Sequence, residues 1–376
     1  MLTSTTQPFN LNIVFDHQAF SRQDCGGIVR YFFELFNFFD RAGHRIEIRA
    51  PLYVTKYFAN SRKKPTGILI PKFPNTALLL SKVNSLLTPF LWSQNSQVDV
   101  YHETYFTKAD NCPKSAVRII TVYDMIHEKF PEMFSFLDQT SKNKSFALHR
   151  ADHIISISHN TKKDLIKYFD IEADKISVVH LGHLQRNVSN SHNPFLQKPY
   201  LLFVGGRREY KNFTALLEAY ADSENLKKEF CLVCFGGGAF NKKEQQLIAQ
   251  LHLDKSNIIQ KSGGDLLLTN LYKNAAAFVY PSLYEGFGLP PLEAMSLGCP
   301  VICSSLSSLP EVVGNAAEQF DPQNIDSLRT AIESVVFNTD HRENLISQGY
   351  AQSKLFSWEK CASKTLEIYK KVIAHE

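Results

Sequence analysis

Residues Tyr280–Gly298 read YPSLYEGFGLPPLEAMSLG. An apolar run ends at Tyr280, a loop with Gly286, Gly288, Pro290 and Pro291 follows, and an apolar helix is expected to begin near Pro291. Proline at the first helical position gives up no helical hydrogen bond, and Gly298 just past the last turn is a helix stop. The stretch is therefore a buried strand, a loop and a helix N-terminus. Such a junction exposes backbone N–H groups and the positive end of a helix dipole, which together bind a phosphate or a polar sugar. Gly286 and Gly288 let a ligand come close to the backbone. Glu285 falls in the loop at the C-terminal edge of a sheet and Glu293 in the first helical turn. Both can face the crevice in which open α/β sheets bind ligands.

The second half of the chain repeats this strand–helix alternation. β-rich runs at Tyr200–Val204, Phe230–Phe235, Asn257–Gln260, Ala276–Tyr280 and Pro300–Cys303 are separated by helical patterns at Phe213–Ala221, Lys242–Leu251, Leu266–Asn274 and Leu292–Leu297. That is the signature of right-handed βα units on a parallel sheet. The first half follows the theme less regularly. Its strands are expected at Leu11–Phe15, Arg45–Ile48, Val98–Tyr101, Val117–Val122, His153–Ser156 and Ile176–Val179, and its helices at Ile28–Asp40, Phe136–Arg150 and Thr161–Tyr168. The polar, turn-rich stretch Gln185–Lys198 is the expected linker. Trp358–Ile373, behind the aromatic anchor Phe356-Ser357-Trp358, carries a helical pattern expected to return to the first domain. The domain boundaries expected are 1–190 plus 357–376 for one Rossmann-like unit and 191–356 for a second.

Composition excludes little. A formal charge of +4 is too mild to argue for nucleic acid, and no apolar run is long enough to span a bilayer. The first residues, MLTSTTQPFN, lack the basic start and apolar stretch of a secretory signal, so a cytoplasmic protein is expected. Seven scattered cysteines do not form a disulfide framework, and Cys231 and Cys234 sit in an apolar run as core residues. Ala77–Trp92 is strongly apolar: it reads either as a surface touching a membrane or a lipid-linked acceptor, or as a helix packed on the sheet. Pro89 and the scarcity of basic residues within it favour the packed helix.

Three further loops fall at sheet edges. GGRREYKN places Arg207, Arg208 and Lys211 after the strand ending at Val204, a cluster of cations at the C-terminal edge of the sheet. DCGGIVRYF places Gly26 and Gly27 before the first long helix. TVYDMIHEKFP places Asp124 and His127 after the strand Val117–Val122.

The segment around Glu285 and Glu293 resembles the Glu-x7-Glu motif of family-4 retaining glycosyltransferases, and the match extends through FVGGRREYKNF (203–213) and LPEVVGNAAEQFDP (309–322). The resemblance implies the GT-B fold: two Rossmann-like domains facing each other across a cleft, with a C-terminal helix returning to the first. It implies that Glu285 binds hydroxyls of the transferred sugar, that the N–H groups of Phe287, Gly288 and Leu289 meet sugar and phosphate, and that Glu293 holds the ribose. Arg207 and Lys211 would clamp the diphosphate, and Gly26 and Gly27 would face it from the first domain. Relatives carry a His or Asp near the reacting carbon; Tyr123 stands here where many have His, so His127 is the first choice for that role and Asp124 the second. The wording YEGFGLPPLEA and DMIHE resembles mannosyltransferases of bacterial polysaccharide assembly. The donor implied is GDP-mannose, with a UDP-sugar as the alternative, and no cofactor or metal is expected. The acceptor would be a glycan or lipid-linked saccharide, with room for peripheral contact at the inner face of a membrane. A silent sugar-nucleotide-binding protein is the rival outside enzymes. A dehydrogenase is disfavoured because Gly236-Gly237-Gly238 lacks the spacing of a dinucleotide fingerprint.

Overall fold

The computed structural model describes residues 10–73, 76–88, 97–183 and 198–374. Contacts divide the chain into two units: one runs to Leu181 and resumes at Trp358, and the other is Gly182–Ser357. Most of the expected linker, residues 185–197, and residues 89–92 of the apolar segment lie outside the described residues.

In the first unit the described strands are β1 (Asn12–Phe15), β2 (Arg45–Tyr53), β3 (Thr66–Leu69), β4 (Val100–Glu103), β5 (Val117–Val122), β6 (His153–Ser156) and β7 (Ile176–Val178). All pair in parallel, in the order β3-β2-β1-β4-β5-β6-β7. The second unit holds β8 (Tyr200–Val204), β9 (Cys231–Phe235), β10 (Ile258–Lys261), β11 (Ala277–Tyr280), β12 (Val301–Ser304) and β13 (Ala317–Phe320), also parallel, in the order β10-β9-β8-β11-β12-β13. Each sheet reverses its winding once, between β1 and β4 and between β8 and β11. Those reversals are the topological switch points at which open α/β sheets leave a crevice above the strands' C-terminal ends.

Residue chemistry explains these elements. The strands of the second unit are nearly continuous apolar runs because helices cover both faces, and Cys231 and Cys234 lie buried in β9 as plain core. Helix Gly27–Arg41 buries Val29, Phe32, Leu35, Phe36 and Phe39 on one stripe against β1 and β2. Helix Trp358–Ile373 packs on it within the first unit: Trp358 rests on Tyr31, and the Tyr369 hydroxyl hydrogen-bonds His102 Nδ1 on β4.

Several expected boundaries are corrected. The helix expected at Phe136–Arg150 starts at Thr140, because the Asp138 carboxylate accepts the Thr140 N–H at 2.7 Å and turns the chain, leaving Phe136 91% exposed. β2 continues through Pro51 to Tyr53, since its pairing with β3 shifts register between Arg49 and Leu52, where a proline is tolerated. β3, β13 and helices Ile325–Val336 and Thr339–Ser353 were not expected. Helix Leu289–Ser296 begins before Pro291, which moves Glu293 from the first helical turn into the second. No helix among the described residues is long and apolar enough to cross a membrane.

Candidate active site

In the second unit the two loops at the switch point meet through side chains. The loop after β8 carries Lys211 and the loop after β11 carries Glu285; Lys211 Nζ donates to Glu285 Oε1 at 2.6 Å and to the Tyr280 hydroxyl at 3.0 Å. The Leu283 N–H donates to the Tyr210 carbonyl at 2.8 Å and ties the same two loops by backbone. Burial alone would lower the Lys211 ammonium, but Tyr280 and Glu285 outweigh it and hold its pKa well above the usual lysine value. Burial pushes the Tyr280 phenol up, with the nearby Glu285 charge adding to the effect. A fixed cation and a fixed carboxylate thus stand side by side at the crevice, both kept from bulk water.

A third loop, after β12, holds the backbone that carries Glu285. Ser308 Oγ lies 2.8 and 2.7 Å from the carbonyls of Glu285 and Phe287 and shares its one proton between them, and Ser307 Oγ accepts the Glu285 N–H at 2.9 Å. Ser307 adopts φ +58°, a left-handed conformation that costs a serine free energy, and there its hydroxyl meets the Glu285 amide. Ser307, Ser308 and Tyr280 were missed as site residues. The serine-rich run Ser304–Ser308 behind a strand was the available signal.

Gly288 is the N-cap of helix Leu289–Ser296 at φ +125°, where an added Cβ would also lie 2.9 Å from Leu309 Cδ2. Pro290 and Pro291 have no N–H, so the donors that a helix start ordinarily leaves unused are reduced here to those of Gly288 and Leu289. Phe287 is buried against Phe356, and Glu293 sits half-buried on the helix that follows.

Arg207 is placed differently from expectation. Its guanidinium binds the Glu244 carboxylate at 2.8 Å and the carbonyls of Gly236, Gly238 and Ala239 at 2.9 to 3.0 Å. The arginine expected to clamp a diphosphate is committed to bracing the glycine loop after β9, while Arg208 is exposed. Lys211 is the cation joined to Glu285.

In the first unit, Gly26 caps helix Gly27–Arg41. A Cβ on Gly27 would meet nothing within 4 Å, so packing inside the protein does not require glycine there. Asp124 Oδ1 accepts the Ile126 N–H at 3.1 Å and shapes the loop after β5. The fully buried Lys144 fastens that loop, donating to the Asp124 carbonyl at 3.0 Å and to Glu128 at 2.6 Å. His127 stacks on Phe134, ring centroids 3.8 Å apart, with Nε2 3.7 Å from Asp138 Oδ2. Burial, reinforced by the Lys144 charge, lowers its pKa and favours the neutral imidazole.

Comparison with known proteins bears on the family and the fold. The family model described as Glycosyltransferase Family 4 matches residues 25–183, and that described as Glycosyl transferases group 1 matches residues 185–352. The O-antigen chain mannosyltransferase B of Escherichia coli is 35% identical over 238 residues, 60% of this chain and 62% of that protein. The O-antigen chain mannosyltransferase RfbU of Salmonella typhimurium is 31% identical over 224 residues, 57% of this chain and 60% of that protein. The matched region thus spans less than two thirds of these relatives' own length. Among solved structures, Anabaena HepE in complex with UDP and glucose aligns at a TM-score of 0.71 and 16% identity, over 96% of this chain and 99% of that one, a likeness of fold. With a matching family domain in each of its two parallel-sheet units, the chain belongs to the family-4 glycosyltransferases of the GT-B fold.

Proposed function

We propose that the protein is a retaining hexosyltransferase that moves mannose from GDP-mannose to a glycan or lipid-linked acceptor in polysaccharide assembly. The observation that carries this reading is the Lys211–Glu285 pair at the switch point of the second domain. The mannosyltransferase names of the sequence relatives support the sugar and the pathway class.

In this reading Lys211 neutralises the departing diphosphate, work that a metal ion does elsewhere, and Arg207 keeps the adjoining glycine loop in shape. The N–H groups of Phe287, Gly288 and Leu289 face sugar and phosphate, Glu285 accepts from sugar hydroxyls, and Glu293 accepts from the ribose diol. Gly26 and Gly27 leave room for the diphosphate in the first domain, and His127, with Asp124 second, serves the reacting carbon. The bond from the anomeric carbon to the leaving phosphate oxygen breaks while the acceptor oxygen adds on the same face, and the acceptor's proton passes to that phosphate. The protein binds and positions more than it reacts. A lipid-linked acceptor brings with it a peripheral contact with a membrane.

The test is incubation with sugar-labelled GDP-mannose and a panel of saccharide and lipid-linked acceptors. Transfer of label with retained anomeric configuration, lost in Glu285→Gln, is expected. Transfer from a UDP-sugar alone would move the reading to that donor, which the UDP in HepE favours. No transfer from any nucleotide sugar would leave a silent binding protein.

A further inference from the structure

The short helix Gln18–Arg22, set just beyond β1, and the residues at its two ends keep polar atoms that the domain leaves unsatisfied. His17 Nδ1, Arg22 Nε and Gln23 Oε1 are each buried without a hydrogen-bond partner among the described residues. Buried polar atoms in a folded domain are nearly always bonded, so a cluster of orphans in one short segment calls for a physical reason. His17 is 1% exposed, and burial, followed by the Arg22 charge, lowers its pKa to about 3; the imidazole is neutral. Gln23 lies against the glycine turn, where a Cβ on Gly26 would come within 2.5 Å of its Oε1.

Arg22 is the charged member of this cluster. Its guanidinium carbon stands 4.8 Å from the centroid of the Tyr105 ring, and the half-buried group forms no ion pair and no hydrogen bond with any described residue. Arg22 follows β1 and Tyr105 follows β4, the two strands between which the first sheet reverses, so the stack lies at that domain's own switch point. Burial pushes the Tyr105 phenol up to about 12, with Asp124 adding to the rise and Arg22 opposing it, which sets the stack beside the loop of Asp124 and His127. The carboxylates nearby are engaged elsewhere: Asp124 Oδ1 accepts the Ile126 N–H, and Asp138 accepts the Thr140 N–H and faces His127. Arg150 and Arg207, by contrast, commit their N–H groups to carboxylates and carbonyls of their own domains. A guanidinium over an aromatic ring keeps its planar fork of donors for a ligand, and a carboxylate or a phosphoryl group is what that fork matches.

We propose that Arg22, stacked on Tyr105, binds an acidic group of the acceptor, a carboxylate or a phosphoryl, so that the saccharide receiving the hexose is a charged one. The inference rests on the proposed function, but the acidic site is measured without turnover and nucleotide affinity reports separately on the donor site. The full chain is titrated, by ligand-observed saturation-transfer NMR, with glucose, glucuronic acid and glucose 6-phosphate, which differ only at C6. Wild type is expected to bind one of the acidic sugars about tenfold or more tightly than glucose, and Arg22→Gln to lose that preference while GDP and UDP bind as in wild type. Arg22→Lys, which keeps the charge without the fork, should restore part of it, and Tyr105→Leu should weaken the acidic sugar about threefold. The tighter of the two acids identifies the group as carboxylate or phosphoryl. Circular dichroism melting checks that the variants remain folded. Equal binding of the three sugars by wild type, or a preference for acid that survives in Arg22→Gln, overturns the proposal. So does an Arg22→Gln protein that loses affinity for GDP or UDP and keeps it for the acidic sugars, which would assign Arg22 to the donor. Failure of both nucleotides to bind, with the Arg22-dependent preference intact, would sink the donor reading and leave the acidic site standing.

Discussion

Lys211 Nζ and Glu285 Oε1 stand 2.6 Å apart across 74 residues of sequence, each carried on a loop at the reversal of one parallel sheet. The pair is more than a structural ion bridge if the proposed function holds, because charge removal at one end then affects transfer without unfolding the domain. Glu285→Gln keeps the shape and the acceptor oxygen but removes the charge. It is expected to lower the rate of sugar transfer by about 10²-fold while nucleoside diphosphate binding stays close to wild type. Steady-state transfer rates with a parallel binding titration check this; unchanged transfer contradicts the role of Glu285.

Ser308 separates positioning from direct contact. Its buried hydroxyl shares one proton between two carbonyls of the Glu285 loop, and Ser308→Ala leaves both without that donor. A loss of about 1–2 kcal/mol in unfolding free energy is expected by urea denaturation. The transfer rate should fall as the carboxylate loses its fixed place; a variant equally stable and equally active would show that the loop keeps its shape without this serine.

How far the site was legible from sequence depended on how local its signals were. Glu285, Gly288 and Glu293 fall in one stretch whose prolines and glycines declare a strand, a loop and a helix start, and β8, β5 and β6 coincide with their apolar runs. The partnership of Lys211 with Glu285, and the serines that brace it, arise from strand order, which no local pattern encodes. Arg207 shows the converse: beside a glycine pair it reads as a ligand clamp, yet Glu244, on a helix far along the chain, takes its guanidinium. β3 escaped notice because all of its residues are exposed, so no alternation of buried and exposed positions marks it. In helix Thr76–Leu87 the buried face mixes Leu80 with Asn84, whose side chain bonds Leu52 and Ser21, while Leu79 and Leu86 stay exposed, so leucine spacing alone does not give its orientation.

The C-terminal helix is expected to stabilise the first domain. Tyr369 is fully buried against Phe39 and His102. Tyr369→Ala should cost about 3–5 kcal/mol, and Tyr369→Phe, which loses the bond to His102, about 1 kcal/mol. Chemical denaturation followed by separate probes in each domain checks this: the loss should appear in the transition of the first domain and leave that of the second in place.

His102 makes the first domain sensitive to acid. Burial lowers its pKa to about 3, and its ring nitrogens are engaged by Tyr369 and Thr121. The unfolded chain takes up this proton below the ordinary histidine value near 6.5 while the folded domain does not, so stability falls as pH drops through the window between about 6.5 and 3. Asp16 and Glu103, raised by burial to about 6 and about 7, act in the opposite direction, since the folded state binds protons there that the unfolded state has released. Comparing wild type with His102→Gln cancels the carboxylates. Wild type should lose about 2 kcal/mol more than the variant between pH 6.5 and pH 5, measured by urea denaturation. Equal losses would mean that His102 is not the neutral buried group described.

The central claim is that the Lys211–Glu285 crevice of the second domain holds a nucleoside diphosphate. Calorimetric titration of the full chain with GDP, UDP, ADP and NAD, with and without magnesium, tests it most directly. Selective binding of GDP without magnesium, weakened about tenfold or more in both Lys211→Ala and Glu293→Ala, is predicted. Binding of NAD with no nucleoside diphosphate, or GDP binding indifferent to both substitutions, would contradict it.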